Sequence, residues 1–338
     1  MQINSKKIIY FFITIHLILW TVIPAILNTN LSLDTIEVLT WGNELKLGYD
    51  KFPPIFPLFT ELFYKIFGSQ DWAYYLLSQL FVATCFAVVF KFSKYFFDKD
   101  IYSLLSVLLL ECIYFFNYTT PELNGFIALL PFIALTALFC WKAISNNHSF
   151  NWIMFGIFAG IATLTWYLAL YLLASLGIFF IREIIMAKKI NYKYFLALLF
   201  YFLILSPHLY FLFENNAQSI EYAFFRSFGN PLSGVSNLKI VDHLIYPLIF
   251  LIKQSLILVP VFILLRFVTS NFKVKINLND KKLIFLFTIS LLPIILMFLT
   301  SLVGGVKIRT MWMSTFYVFT GVFLVYLFKV NINLDKLK

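Results

Sequence analysis

The chain has 338 residues, of which 61% are hydrophobic and only 12% charged, with a mean hydropathy of +0.87. A charged fraction roughly half that of soluble domains excludes a water-soluble globule and requires an all-α polytopic integral membrane protein. The formal net charge of +10 does not indicate a nucleic-acid partner, because the lysines and arginines punctuate apolar spans instead of clustering on one exposed face.

Crossing about 30 Å of hydrocarbon takes about 20 apolar residues in a helix. That rule predicts about ten transmembrane spans, at 8–27, 72–92, 101–117, 122–143, 152–165, 168–186, 194–212, 244–267, 283–302 and 311–328. The first follows Lys6 and Lys7 and continues to Leu27 without a small-x-small cleavage site, so it reads as a retained helix and not as a signal peptide. Cys85, Cys112 and Cys140 fall inside apolar runs without metal-ligand spacing and read as small buried residues.

Charges outside the spans test their number and set the orientation. With a cytoplasmic amino terminus, 18 of the 26 basic residues fall on the inner side, as the positive-inside rule requires. Both termini are then cytoplasmic. The acidic residues fall the other way, with Asp34, Glu37, Glu44, Asp50, Glu61, Asp71, Glu122, Glu214, Glu221 and Asp242 outside. Carboxylates contribute little to orientation, so their excess outside points to an outward-facing active site.

The whole chain, 1–338, reads as a single membrane domain with two long outer segments, 28–71 and 213–243. In the first, a short helix is predicted over 34–45, a break over 48–57, and a second helix over 57–67. Phe59, Phe63 and Phe67 lie on one side of that second helix, a pattern suited to the membrane interface.

Candidate chemistry concentrates outside. Asp34 and Glu37 are three apart and share a helical face. One of them can act as a general base, or the pair can hold a divalent cation with waters. Asp34 can equally cap the helix that follows, since SLDTIE fits an N-terminal signature. Lys51 precedes Phe52-Pro53-Pro54, whose prolines restrict the backbone; with Lys307 and Arg309, in a loop where basic residues oppose the topology, it can meet a phosphate. Lys253, about ten residues into a span, costs on the order of 2.5–3.5 kcal/mol to insert and marks a site by default. Glu122, beside Glu111 and Asn117, and His208, after Ser206-Pro207, are further candidates.

The sequence has no phosphate-cradling glycine motif, zinc-ligand spacing or nucleophile elbow. No inner segment exceeds about 17 residues, too few for a nucleotide-binding domain. Any sugar or phosphate donor therefore arrives in the membrane or from outside, and a lipid-linked donor suits that best.

Five stretches carry a resemblance. LDTIEVLTWGNELKLGYDKFPP, WAYYLLSQL, FNYTTPELNGFIALLP, SPHLYFLFENN and GGVKIRTMWMSTFYVFTG resemble, in order and spacing, the bacterial branch of glycosyltransferase family 39. That family is related to the protein O-mannosyltransferases and to the aminoarabinose transferase that modifies lipid A. The resemblance implies a C-type (GT-C) glycosyltransferase helix bundle in the bacterial plasma (inner) membrane, whose long first outer loop bears the catalytic aspartate.

It further implies a polyprenyl-phosphate-linked sugar donor and a glycolipid, polysaccharide or protein acceptor, with membrane lipids around the bundle. Asp34 takes the aspartate position and Glu37 that of the accompanying acid, while Lys51, Lys307 and Arg309 would stabilise the leaving phosphate. No cofactor is implied as required, and a divalent metal is allowed by the carboxylate pair.

Three departures stand out. Phe52 replaces a frequent histidine, Trp166 lies where the family commonly has a lysine, and the chain ends at Lys338 where many members continue. A transporter or flippase for a lipid or sugar and a non-catalytic descendant of the family are the alternatives.

Overall fold

The computed structural model describes residues 5–228, 240–274, 276–333 and 336. Fourteen α-helices are present among them: α1 Ser5–Leu27, α2 Leu33–Gly42, α3 Ile55–Phe67, α4 Asp71–Ser93, α5 Asp100–Glu111, α6 Gly125–Asn146, α7 Ser149–Thr165, α8 Ala169–Ala187, α9 Lys193–Glu214, α10 Gln218–Phe228, α11 Asp242–Val268, α12 Lys281–Ser290, α13 Leu292–Gly304 and α14 Thr320–Phe328. Two 3₁₀ segments, Tyr114–Phe116 and Thr310–Tyr317, complete the set. All-α architecture follows from the apolar sequence, because in hydrocarbon each backbone N–H and C=O must be satisfied within its own segment.

Six helices, α1, α4, α6, α8, α9 and α11, are long and apolar enough to cross a membrane. Two bent pairs raise the number to eight: α12 with α13, which meet at 42°, and the Thr310–Tyr317 segment with α14, which meet at 54°. The other two expected spans are shorter. The one at 101–117 is the twelve-residue α5, which stops at Glu111 and continues only as a 3₁₀ turn. The one at 152–165 is the seventeen-residue α7.

Close helix contacts hold the bundle. A Cβ on Gly156 of α7 would lie 2.2 Å from the Ala197 carbonyl oxygen of α9, and one on Gly160 would lie 2.8 Å from Ile204. This small-xxx-small spacing lets the two backbones approach where lipid supplies no hydrophobic drive. Glu111, at the end of α5, places its carboxylate 3.2 Å from the buried His16 of α1. At one end of the bundle Phe92, Phe96, Trp141, Phe179, Phe285 and Phe319 stack together.

That aromatic end also gathers the loops between helices, as the Tyr326 hydroxyl bond to Asp280 and the Lys193 bond to the Asn147 carbonyl show. The opposite end carries residues 28–70, with the two helices expected there: α2 at 33–42 and α3 at 55–67. The second long segment contains α10; its residues 229–239, including Lys239, lie outside the described set, as do Lys275 and Lys338.

Candidate active site

Asp34 is the second residue of α2 and does not cap it. Ser32 occupies the cap position without a capping side-chain bond. Its hydroxyl instead pairs with Thr35 Oγ1 at 2.7 Å, and Thr35 donates to the Leu123 carbonyl at 3.1 Å. This tie fixes the start of α2 against the loop that enters α6. The Asp34 carboxylate, free of capping duty, faces a cavity.

One turn further, Glu37 pairs with Lys51, which lies on the loop between α2 and α3. That loop is closed by Tyr49 N–H donating to the Phe52 carbonyl at 3.0 Å and by the Tyr49 hydroxyl donating to the Glu44 carbonyl at 2.7 Å. Pro53 and Pro54 stiffen its exit. The Lys51 ammonium stands 5.9, 5.2 and 5.6 Å from the ring centres of Trp41, Phe52 and Tyr222, within cation–π range.

Three neighbouring cavities share lining residues here. The narrowest, about 80 Å³, is bordered by Asp34, Lys51, Phe52, Trp166, Arg226 and Arg309. It shares Lys51, Trp166 and Tyr222 with an apolar cavity of about 240 Å³ walled by Tyr171, Met297, Val306 and Trp312. It shares Arg226 and Arg309 with a polar cavity of about 590 Å³. Asp34 thus borders the small cavity between a mainly apolar one, which also carries Lys51 and Arg226, and a more polar one.

Burial raises the Asp34 pKa; Lys51 lowers it, Glu37 raises it, and Arg226 and Arg309 lower it, with burial dominant. Such a carboxylate is more basic than an exposed one, as a proton acceptor should be. Glu122 borders the polar cavity, and its pKa is raised by burial and then by the negative charge of Asp34.

The candidate cations divide. Lys51 lies on the constriction and the apolar cavity, Arg309 on the constriction and the polar cavity, and Lys307 on the polar cavity. Lys253, expected as a solitary charge within a span, borders the polar cavity beside Lys307. Lys307 and Arg309 follow Gly305, whose φ of +62° makes the turn after α13 and favours glycine.

His208 borders none of these three cavities. Its Nδ1 lies 2.8 Å from the Leu47 carbonyl and its Nε2 2.7 Å from the Tyr167 hydroxyl, whose oxygen lies 2.8 Å from Ser219 Oγ. A carbonyl only accepts, so Nδ1 donates; a neutral ring then accepts from Tyr167, and Tyr167 accepts from Ser219. His208 pins the first loop to α9 and α10, and α9 runs unbroken through Pro207.

Sequence reasoning passed over Arg226 as a site residue, although it borders all three cavities. It carried the same signal as Lys307, a basic residue on the side the topology disfavours. As for a metal, no group of three or more His, Cys, Asp or Glu side chains stands together among the described residues. The Lys51 ammonium, paired to Glu37 and acting on Asp34, supplies positive charge between the two carboxylates.

A family model described as dolichyl-phosphate-mannose-protein mannosyltransferase matches residues 51–211. The matched stretch includes Lys51, Phe52, Glu122, Trp166 and His208 and leaves Asp34, Glu37, Lys253, Lys307 and Arg309 outside it. No curated protein and no solved structure matches the chain. The family match and the helical architecture support a multi-pass membrane glycosyltransferase related to glycosyltransferase family 39.

Proposed function

We propose that this relative of glycosyltransferase family 39 moves a sugar from a polyprenyl-phosphate-linked donor to an acceptor hydroxyl or amine on the outer face of the bacterial plasma membrane, with Asp34 as general base. Both termini are cytoplasmic in this reading, because most of the basic residues then lie inside. The observation that carries it is the place of Asp34, a carboxylate made more basic by burial at a constriction bordered by Lys51, Arg226 and Arg309.

The donor enters from the apolar side. The apolar cavity shares Tyr171 and Thr300 with a groove between α8 and α13 lined by Leu170, Ala174, Leu296, Leu299 and Val303. An isoprenoid chain is chemically matched to that groove, and its phosphate then falls at the charged neck, where Lys51, Arg226 and Arg309 converge. Glu37 holds Lys51 in place.

With a hydroxyl acceptor, Asp34 takes the proton as that oxygen bonds to the anomeric carbon. The bond from the anomeric carbon to the phosphate oxygen breaks, and its electron pair leaves with polyprenyl phosphate. The cations stabilise the charge that develops there, an effect worth about 10²–10³ in rate per donor group in enzymes that use it. A single displacement inverts the anomeric configuration.

A transporter would favour broken helices and paired midplane charges in two similar halves; the chain shows no internal repeat of that kind, and Lys253 is the feature that keeps the alternative in view. Lys253 shares a cavity wall with Lys307 and Arg309, an arrangement that a phosphate-binding site in a transferase accounts for as well. Membranes carrying the native chain or Asp34→Asn, each given a panel of polyprenyl-phosphate sugars, test the proposal by mass spectrometry of free polyprenyl phosphate. Release by the native chain alone is expected. Equal release by both, or none by the native chain across the panel, would contradict it.

A further inference from the structure

We infer that the polar cavity is the acceptor site and that it takes a hydroxyl-bearing phosphate ester. The inference rests on the transferase reading for the word acceptor, but the anion-binding chemistry stands on the cavity itself. At about 590 Å³ it falls within the roughly 300–1,000 Å³ of small-molecule sites.

Four cations border it, Arg226, Lys253, Lys307 and Arg309, against one carboxylate, Glu122. None of the four has a carboxylate within 4.0 Å among the described residues. Four exposed cations around a single carboxylate make the cavity electropositive, a field that draws in an anion.

A second observation points to a ligand. Ser314 borders the cavity and is 2% exposed, yet its hydroxyl has no hydrogen-bond partner among the described residues. A buried hydroxyl left unpaired costs about 1–3 kcal/mol, and a phosphate oxygen or sugar hydroxyl in the cavity would satisfy it. Thr119, Asn124 and Thr310 add further polar groups to the same wall.

The lining also orients the guest. Lys253 and Lys307 border only the polar cavity, whereas Arg309 borders the constriction as well. A phosphate held by the two lysines leaves the rest of the molecule reaching past Arg309, with a hydroxyl toward Asp34. Lys253 itself is held in register by its neighbour Gln254, whose Oε1 accepts from the buried Tyr317 hydroxyl at 2.6 Å.

Equilibrium binding to the full chain in phosphatidylcholine nanodiscs, without donor, tests this with glucose 6-phosphate and with glucose as the uncharged probe. Glucose 6-phosphate is expected to bind at least tenfold tighter. Lys253→Met and Lys307→Gln should each weaken it several-fold and together at least tenfold, while Lys51→Met leaves it within twofold. Lys307→Gln, in an exposed turn, keeps the test valid where Lys253→Met misfolds.

Equal binding of the two probes, no binding of either, or loss with Lys51→Met but not with the other variants would overturn the inference, the last by assigning the phosphate to the donor neck. Repeating the titration in nanodiscs containing phosphatidylglycerol separates the sources. Competition there identifies a lipid headgroup as the phosphate ester, and unchanged binding identifies a soluble one. Selective binding with no release of polyprenyl phosphate would sink the transferase reading and leave the anion site standing.

Discussion

The rings of Phe52 and Trp166 lie 5.0 Å apart, centre to centre and tilted by 45°, on the wall of the constriction that holds Asp34. These are the two positions near the site at which the resemblance implies a histidine and a lysine, and their side chains pack together. Phe52 also packs against Trp41 at 4.8 Å, and Trp166 against Phe126 at 4.9 Å. The two rings and their neighbours therefore form one aromatic packing unit at the constriction.

That contact should show in stability. Phe52 is 2% exposed, and Phe52→Ala is expected to cost about 3–5 kcal/mol. In a double-mutant cycle with Trp166→Ala, unfolding in mild detergent should reveal a coupling of about 0.5–1.5 kcal/mol. Strict additivity would contradict the shared packing.

Lys51 and Glu37 should be coupled through function. Lys51→Met is expected to reduce turnover about 10²–10³-fold, and Glu37→Gln less, because Glu37 only holds the lysine. The pair's coupling energy in transfer rates should fall at about 0.5–3 kcal/mol. Equal and independent losses would separate the two residues.

Asp34 must be ionised to accept a proton, so transfer should fall as pH drops through its pKa. That acid limb is expected above the ordinary aspartate value of 3.8, because burial raises the pKa. Arg309→Met removes a charge that lowers it and should move the limb further up, as pH–rate profiles would show.

The stability sign is opposite. A carboxyl whose folded pKa exceeds its unfolded value binds more protons when folded, so ionising it destabilises the fold as pH rises through that window. Asp34→Asn should therefore cost about 10²–10⁴ in rate while leaving Tm at neutral pH equal or higher. A marked fall in Tm would point to a structural role.

His208 should behave as a structural residue. His208→Ala leaves the Leu47 carbonyl and the Tyr167–Ser219 pair without their partner, at about 1–3 kcal/mol. Thermal stability is expected to fall, and the acid limb of the pH–rate profile to stay in place. A displaced limb would return His208 to the chemistry.

The long spans and both first-loop helices were legible because apolar length and aromatic periodicity are local properties. The bends were not. The expected spans 283–302 and 311–328 are as apolar as straight helices, and hydropathy does not register the break between Ser290 and Leu292 or the 3₁₀ course of Thr310–Tyr317.

In the site, Asp34, Glu37 and Lys51 lie within 18 residues of one another, so their association was within reach of sequence reasoning. Arg226 arrives on a separate helix, and the division of the cations between two cavities depends on where α10, α11 and the turn after Gly305 pack. No spacing in the chain records that.

In the proposed reaction the donor phosphate sits at the charged neck with the anomeric carbon before Asp34. An electron cryo-microscopy map of Asp34→Asn trapped with an intact polyprenyl-phosphate sugar tests it directly. Phosphate density is expected between Lys51 and Arg309, the isoprenoid chain along α8 and α13, and the sugar within reach of residue 34. Phosphate density against Lys253 and Lys307, with the chain elsewhere, would contradict it.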